Sequence, residues 1–106
     1  EIAMESFLRR KKLPTAIFCN SDEMAAGALK AIRARGMRVP EDISVIGFDD
    51  HQIAEYIGLT TVSQPPQFEG QMAAAAAIAE IANPTIERKK IVIPTSLVVR
   101  ETTAAI

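Results

Sequence analysis

Apolar positions along the chain change their spacing several times, and each change marks an element. Met4, Phe7 and Leu8 share one face of a helical pattern running from Ile2 to Arg10. It ends in Arg9, Arg10, Lys11 and Lys12, cations that suit the negative end of a helix dipole. Beyond Pro14, the run Thr15-Ala16-Ile17-Phe18-Cys19 is apolar without alternation, which predicts a strand covered on both faces. Asn20-Ser21-Asp22-Glu23 then reads as a helix start, with Ser21 able to cap free N–H groups and two acids in the first turn. Ala25, Ala28, Leu29 and Ile32 recur at helical spacing, Lys30, Arg33 and Arg35 face outward, and Gly36 is a left-handed stop.

Ile43 to Phe48 predicts a second buried strand, ending in the adjacent carboxylates Asp49 and Asp50. A short helical patch, Ile53 to Ile57, precedes Gly58 and a small strand, Thr60 to Ser63. Gln64-Pro65-Pro66 is a stop that neither a helix interior nor a central strand tolerates. Phe68 to Ala82 predicts a helix, alanine at each position from Ala73 to Ala77, closed by Pro84. The polar loop Glu87 to Lys90 leads into two further predicted strands, Ile91 to Ile93 and Ser96 to Arg100. The order α, β, α, β, short helix, β, α, β, β predicts an α/β fold.

Composition narrows the chemistry. Twelve Lys and Arg against thirteen Asp and Glu leave a net charge of −1, unlike the basic footprint of a free-standing nucleic-acid binder. The lone Cys19 excludes an internal disulfide, and Cys19 with the lone His51 leaves no zinc ligand set, so no metal site and no cofactor are expected. No apolar run approaches the roughly 20 residues of a membrane span, and the first residues lack a signal-peptide core. The missing initiator methionine suggests a fragment.

Catalytic constellations are absent as well. There is no GxGxxG or Walker loop, and Gly36 and Gly47 read as turn and strand glycines. Cys19 ends an apolar strand with no basic neighbour and reads as a small buried hydrophobe. His51 has no marked nucleophile to serve, and Asp49 and Asp50, adjacent on extended backbone, point apart rather than chelating together. No enzyme activity is expected. In open parallel α/β sheets, however, ligands bind beyond the carboxyl ends of strands. Asn20-Ser21-Asp22 and Asp49-Asp50 both fall at such ends, where a carboxylate can accept hydrogen bonds from neighbouring polyol hydroxyls. Asp22 is expected to be a helix-start charge and Asp50 a turn residue, leaving Asp49 as the functional candidate.

The blocks PTAIFCNSDEMAAGALKAIRARGMRVPEDISVIGFDD, LTTVSQP and IPTSLVVRETT, in this order, closely resemble the effector-binding domain of LacI/GalR-family transcription regulators. The resemblance implies a type I periplasmic-binding-protein fold of two Rossmann-like subdomains joined by three crossovers, here incomplete, with effector in the cleft between them. By this likeness Asp49, the first Asp of the GFDD block, contacts effector hydroxyls, and Gln64 lies at the cleft or hinge. Ser21 stands where the family often has Asn, which implies a weaker or water-mediated contact. The run Tyr56-Ile57-Gly58-Leu59 is shorter than the family's usual loop near its dimer interface.

The resemblance implies a domain map: 1–64 in the C-terminal subdomain, 65–93 crossing to the N-terminal subdomain, and 94–106 returning, with Pro65, Pro66 and Pro94 near the crossovers. It further implies a cytoplasmic, homodimeric regulator. Its effector would be a sugar, sugar phosphate or nucleoside, and its operator would be bound only through a helix-turn-helix head outside these residues. A solute-binding protein of a sugar transporter shares the fold and is the competing expectation. An apolar stripe of Phe68, Met72, Ile78 and Ile81 suggests that the alanine-rich helix packs against another copy of the chain.

Overall fold

A computed structural model describes all residues from Glu1 to Ile106. Its elements are α1 (Ile2–Phe7), β1 (Ala16–Phe18), α2 (Asp22–Ala34), β2 (Ser44–Asp49), α3 (Gln52–Tyr56), β3 (Thr60–Ser63), α4 (Pro66–Ala82) and β4 (Ser96–Val98). The chain divides into two compact units, one of residues 1–63 with 96–106 and one of residues 64–95.

The first unit is a four-stranded sheet in the order β1-β2-β3-β4. β1, β2 and β3 are parallel, in the register Phe18 to Ile46 and Asp49 to Ser63. The α/β architecture agrees with the sequence, but β4 departs from the expected parallel sheet. It runs antiparallel to β3, pairing Thr61 with Val98 and Ser63 with Ser96.

α2 packs on β2 through the face that the spacing predicts. Ala25 and Ile32 are wholly buried, with Ala28 and Leu29 nearly so. Ile43, Val45 and Leu59 complete the interior, each burial contributing about 1.5–3 kcal/mol. Ser21 caps α2 by accepting a 3.2 Å hydrogen bond from the Met24 N–H, and Gly36 (φ +71°) follows in the left-handed conformation.

The residues after β4 fasten the far end of the sheet. Thr102 Oγ1 donates to the Val45 carbonyl at 2.7 Å and accepts from the Thr60 N–H at 2.9 Å. The Thr102 carbonyl accepts from the Val45 N–H at 2.8 Å.

Three expectations are corrected. β1 is not covered on both faces: it is an edge strand, and Phe18 keeps 56% of its surface exposed. α1 closes at Phe7, so Arg9 to Lys12 lie beyond its last turn, and Arg10 instead sits 4.3 Å above the Phe7 ring. Ile91 to Ile93 form no strand, leaving eight elements rather than nine. A strand needs a neighbouring edge for its backbone hydrogen bonds, and the unit 64–95 contains one helix and no second extended element.

In that second unit α4 begins with Pro66 in its first turn, where a missing N–H costs nothing, and none of its residues is buried. Arg88 folds the following loop back onto α4 through a 2.8 Å ion pair with Glu80. Asn83 Oδ1 accepts from Thr85 Oγ1 at 2.8 Å.

Candidate functional site

Because β1, β2 and β3 are parallel, the segments that follow them leave the sheet at the same end. β2 outreaches β1, since Phe18, the last residue of β1, pairs with Ile46. This places the start of α2 beside the end of β2, as the order of elements suggests. One side chain joins them. Asp22 Oδ2 accepts from the His51 N–H at 2.6 Å, and Asp22 Oδ1 accepts from Thr61 Oγ1 at 2.6 Å.

Asp22 is therefore more than a helix-start charge, which corrects the sequence reading. It has no solvent exposure, and its first-turn position also places its carboxylate at the positive end of the α2 dipole. Gly47 makes room for it. A Cβ at Gly47 would collide with Asp22 Oδ1 and approach Leu59 Cδ2 to 2.8 Å. The available signals were Gly47 inside a buried strand and Thr61, a hydroxyl in a strand core that must find an acceptor.

Asp49 ends β2 half-buried, with φ at +106°, and Asp50 follows at +55°. Two successive non-glycine residues with positive φ are strained, and such strain persists where surrounding contacts over-determine the backbone. Here Asp22 holds the next residue, His51, by its N–H. Arg100 Nη2 donates to Asp50 Oδ1 at 2.9 Å, both side chains being about three-quarters buried or more. Asp50 is thus an ion-pair member rather than a plain turn residue. The sequence reading missed Arg100 altogether.

Ser21 lies half-buried at the start of α2. Its oxygen is committed to the Met24 N–H, but a serine hydroxyl retains a proton to donate. Gln64 opens the second unit directly after Ser63, the register partner of Asp49. Cys19 is buried, and burial pushes its thiol above the ordinary range, the wrong direction for a nucleophile. No group of three or more His, Cys, Asp or Glu side chains is gathered to hold a metal ion.

A hollow of about 280 Å³ lies elsewhere, between α1, β1 and α2, lined by Met4, Phe7, Ile17, Phe18 and Met24 among others. Its lining is mostly apolar and includes neither Asp49 nor Asp50; the carboxylate on it is Glu1, at the start of the chain. At the carboxyl end of the parallel strands, Asp49 closes β2 and Ser21 precedes α2, a carboxylate and a hydroxyl of the kinds that hydrogen-bond to hydroxyl groups.

Residues 1–103 match the periplasmic binding protein-like domain family. The probable HTH-type transcriptional repressor ExuR of Bacillus subtilis is 44% identical over 101 residues, 93% of this chain and 30% of the relative. The transcriptional regulator CelR in complex with cellobiose superposes with a TM-score of 0.88 at 39% identity, over 95% of this chain and 32% of that one. The lac repressor dimer bound to operator and the anti-inducer ONPF gives 0.87 at 35% identity, over 98% and 37%. The chain thus spans roughly a third of the length of these proteins, which are transcriptional regulators rather than enzymes. No helix is long and apolar enough to cross a membrane. With its α/β sheet, its GFDD turn at the end of β2 and this breadth of similarity, the chain belongs to the periplasmic binding protein-like domain family, in the form carried by LacI/GalR-type transcription regulators.

Proposed function

We propose that these residues form part of the effector-sensing domain of a cytoplasmic transcription regulator responsive to a sugar, sugar phosphate or nucleoside. Asp49 accepts hydrogen bonds from effector hydroxyls, Ser21 donates a weaker one, and Gln64 belongs to the cleft or hinge. Residues 1–64 and 94–106 belong to the C-terminal subdomain of that domain, and residues 65–93 to the N-terminal one. Effector binding shifts a homodimer between two global arrangements and so changes operator affinity at a helix-turn-helix head. The site performs no catalysis and needs no cofactor.

The observation that carries this reading is Asp49 itself, a carboxylate at the end of a central parallel strand on backbone that its neighbours hold in a strained conformation. The CelR structure with cellobiose and the lac repressor with operator support the sugar and DNA halves respectively. The regulator is favoured over a transporter's solute-binding protein because these similar proteins are regulators.

The test is a thermal-shift panel on the full-length protein with cellobiose, monosaccharides, sugar phosphates and nucleosides. At least one should raise the melting temperature with a concentration dependence that follows mass action, and the same compound should change operator affinity. A panel that leaves both unchanged refutes the reading.

A further inference from the structure

Arg100 lies two residues beyond β4, and only 21% of its side chain is exposed. Both arms of its guanidinium are engaged. Nη1 donates to the Leu59 carbonyl at 2.9 Å and Nη2 to Asp50 Oδ1 at 2.9 Å. Its backbone N–H donates to Thr60 Oγ1, also at 2.9 Å. A planar fork held by both arms, on a residue whose backbone N–H is also tied, has one orientation, and the partner carboxylate inherits it. That partner occupies a left-handed residue, preceded by Asp49 at φ +106°. Asp49 thus holds the last ladder position of β2, directly before a clamped Asp50, while the turn's far side is pinned by His51 N–H on Asp22. Fifty residues separate Asp50 from Arg100, so this hold on the turn comes from a distant part of the chain.

We propose that Arg100 is a positioning residue for effector binding: through Asp50 it holds the Asp49 turn in the conformation that presents the Asp49 carboxylate. The segment after β4 then sets effector affinity by fixing this turn rather than by contributing a contact of its own. The proposal rests on the reading of Asp49 as the effector contact.

The variants are Arg100→Met, Arg100→Lys, Asp50→Asn and the double variant Arg100→Met with Asp50→Asn, made in the full-length protein. The double variant leaves no unpaired part-buried charge and guards against a simple failure to fold. Hydrogen exchange read by mass spectrometry needs no ligand. The peptide spanning residues 49–52 should exchange about tenfold faster in Arg100→Met while α2 keeps its wild-type protection. Calorimetry with cellobiose, or with whichever panel sugar stabilises the wild type, should show roughly tenfold weaker binding for Arg100→Met and for Asp50→Asn. Arg100→Lys should fall between these and wild type, since an ammonium keeps the charge but not the fork. The double variant should be no weaker than either single one, because both remove the same contact. Unchanged exchange at 49–52, or losses that add in the double variant, would overturn the proposal. Wild-type binding with unchanged affinity in Arg100→Met sinks this inference alone, whereas a wild type silent toward the whole panel sinks the functional reading and this role with it.

Discussion

Thr61 Oγ1 donates a 2.6 Å hydrogen bond to Asp22 Oδ1, and neither residue has any exposed surface. The bond joins the first residue of α2 to the second residue of β3 across the intervening strand β2. The other Asp22 oxygen holds the His51 N–H, so one carboxylate ties a helix, a strand and the turn that carries Asp49 and Asp50. A buried carboxylate is tolerated only when its lone pairs are satisfied, which makes its partners costly to remove.

Thr61→Val keeps the shape and deletes the donor. It should cost about 1–3 kcal/mol, the penalty of leaving a buried acceptor short of a partner. In a domain of this size that corresponds to a fall in melting temperature of roughly 4–8 °C for each kcal/mol. Thermal unfolding followed by circular dichroism measures it. A melting temperature equal to wild type would show that Asp22 does not depend on this hydroxyl.

Gly47 should be intolerant for a steric reason. A Cβ there meets Asp22 Oδ1 and Leu59 Cδ2, so Gly47→Ala should destabilise by about 1–3 kcal/mol, as overpacked cores do. Asp22→Ala loses the Thr61 and His51 bonds but clears the space. Adding Gly47→Ala to Asp22→Ala should therefore cost less than adding it to wild type, a non-additivity expected of contacting residues. Equal costs in the two backgrounds would place the clash elsewhere.

These two residues also show where the sequence was legible. The cap at Ser21, the buried stripe of α2 and the bounds of β3 follow from local spacing, because local backbone chemistry decides them. Asp22 was misread because an acid in a first turn satisfies the helix dipole whether it faces water or a core; only Gly47 and Thr61, distant in sequence, distinguish the two. Arg100 was invisible because its importance lies in a partner fifty residues away. Ile91 to Ile93 misled in the opposite sense. Their apolar, β-branched pattern is right for a strand, but a strand is a relationship with a neighbour and no local pattern supplies one.

Asp49→Ala should weaken effector binding by about 1.5–3 kcal/mol, the value of a hydrogen bond to a charged group, while leaving the sheet folded. Titration calorimetry on the full-length protein reads the affinity, and circular dichroism the fold. Ser21→Ala separates two roles. Loss of the cap should cost stability by about 0.5–2 kcal/mol. A contact to effector adds a loss of affinity, and unchanged binding in a less stable variant would make Ser21 a helix cap alone.

Cys19 offers a prediction with pH as the variable. Burial, the leading influence, raises its pKa above the ordinary thiol value of 9.0. The unfolded chain, whose thiol is free to ionise, therefore loses its proton first as the solution becomes alkaline. A group with a raised folded pKa contributes stability that is full below the unfolded value and is lost as pH rises through the folded one. The stability of the wild type should accordingly decline above about pH 9 more steeply than that of Cys19→Ala, once both are referred to their values at neutral pH. The thiolate is also the nucleophile, so at pH 8 iodoacetamide should label Cys19 at least tenfold more slowly in the native protein than in urea. Mass spectrometry of timed samples reads the labelling directly. Native and denatured rates that coincide would mean that the thiol at the end of β1 is open to solvent and ionises freely, contrary to its burial.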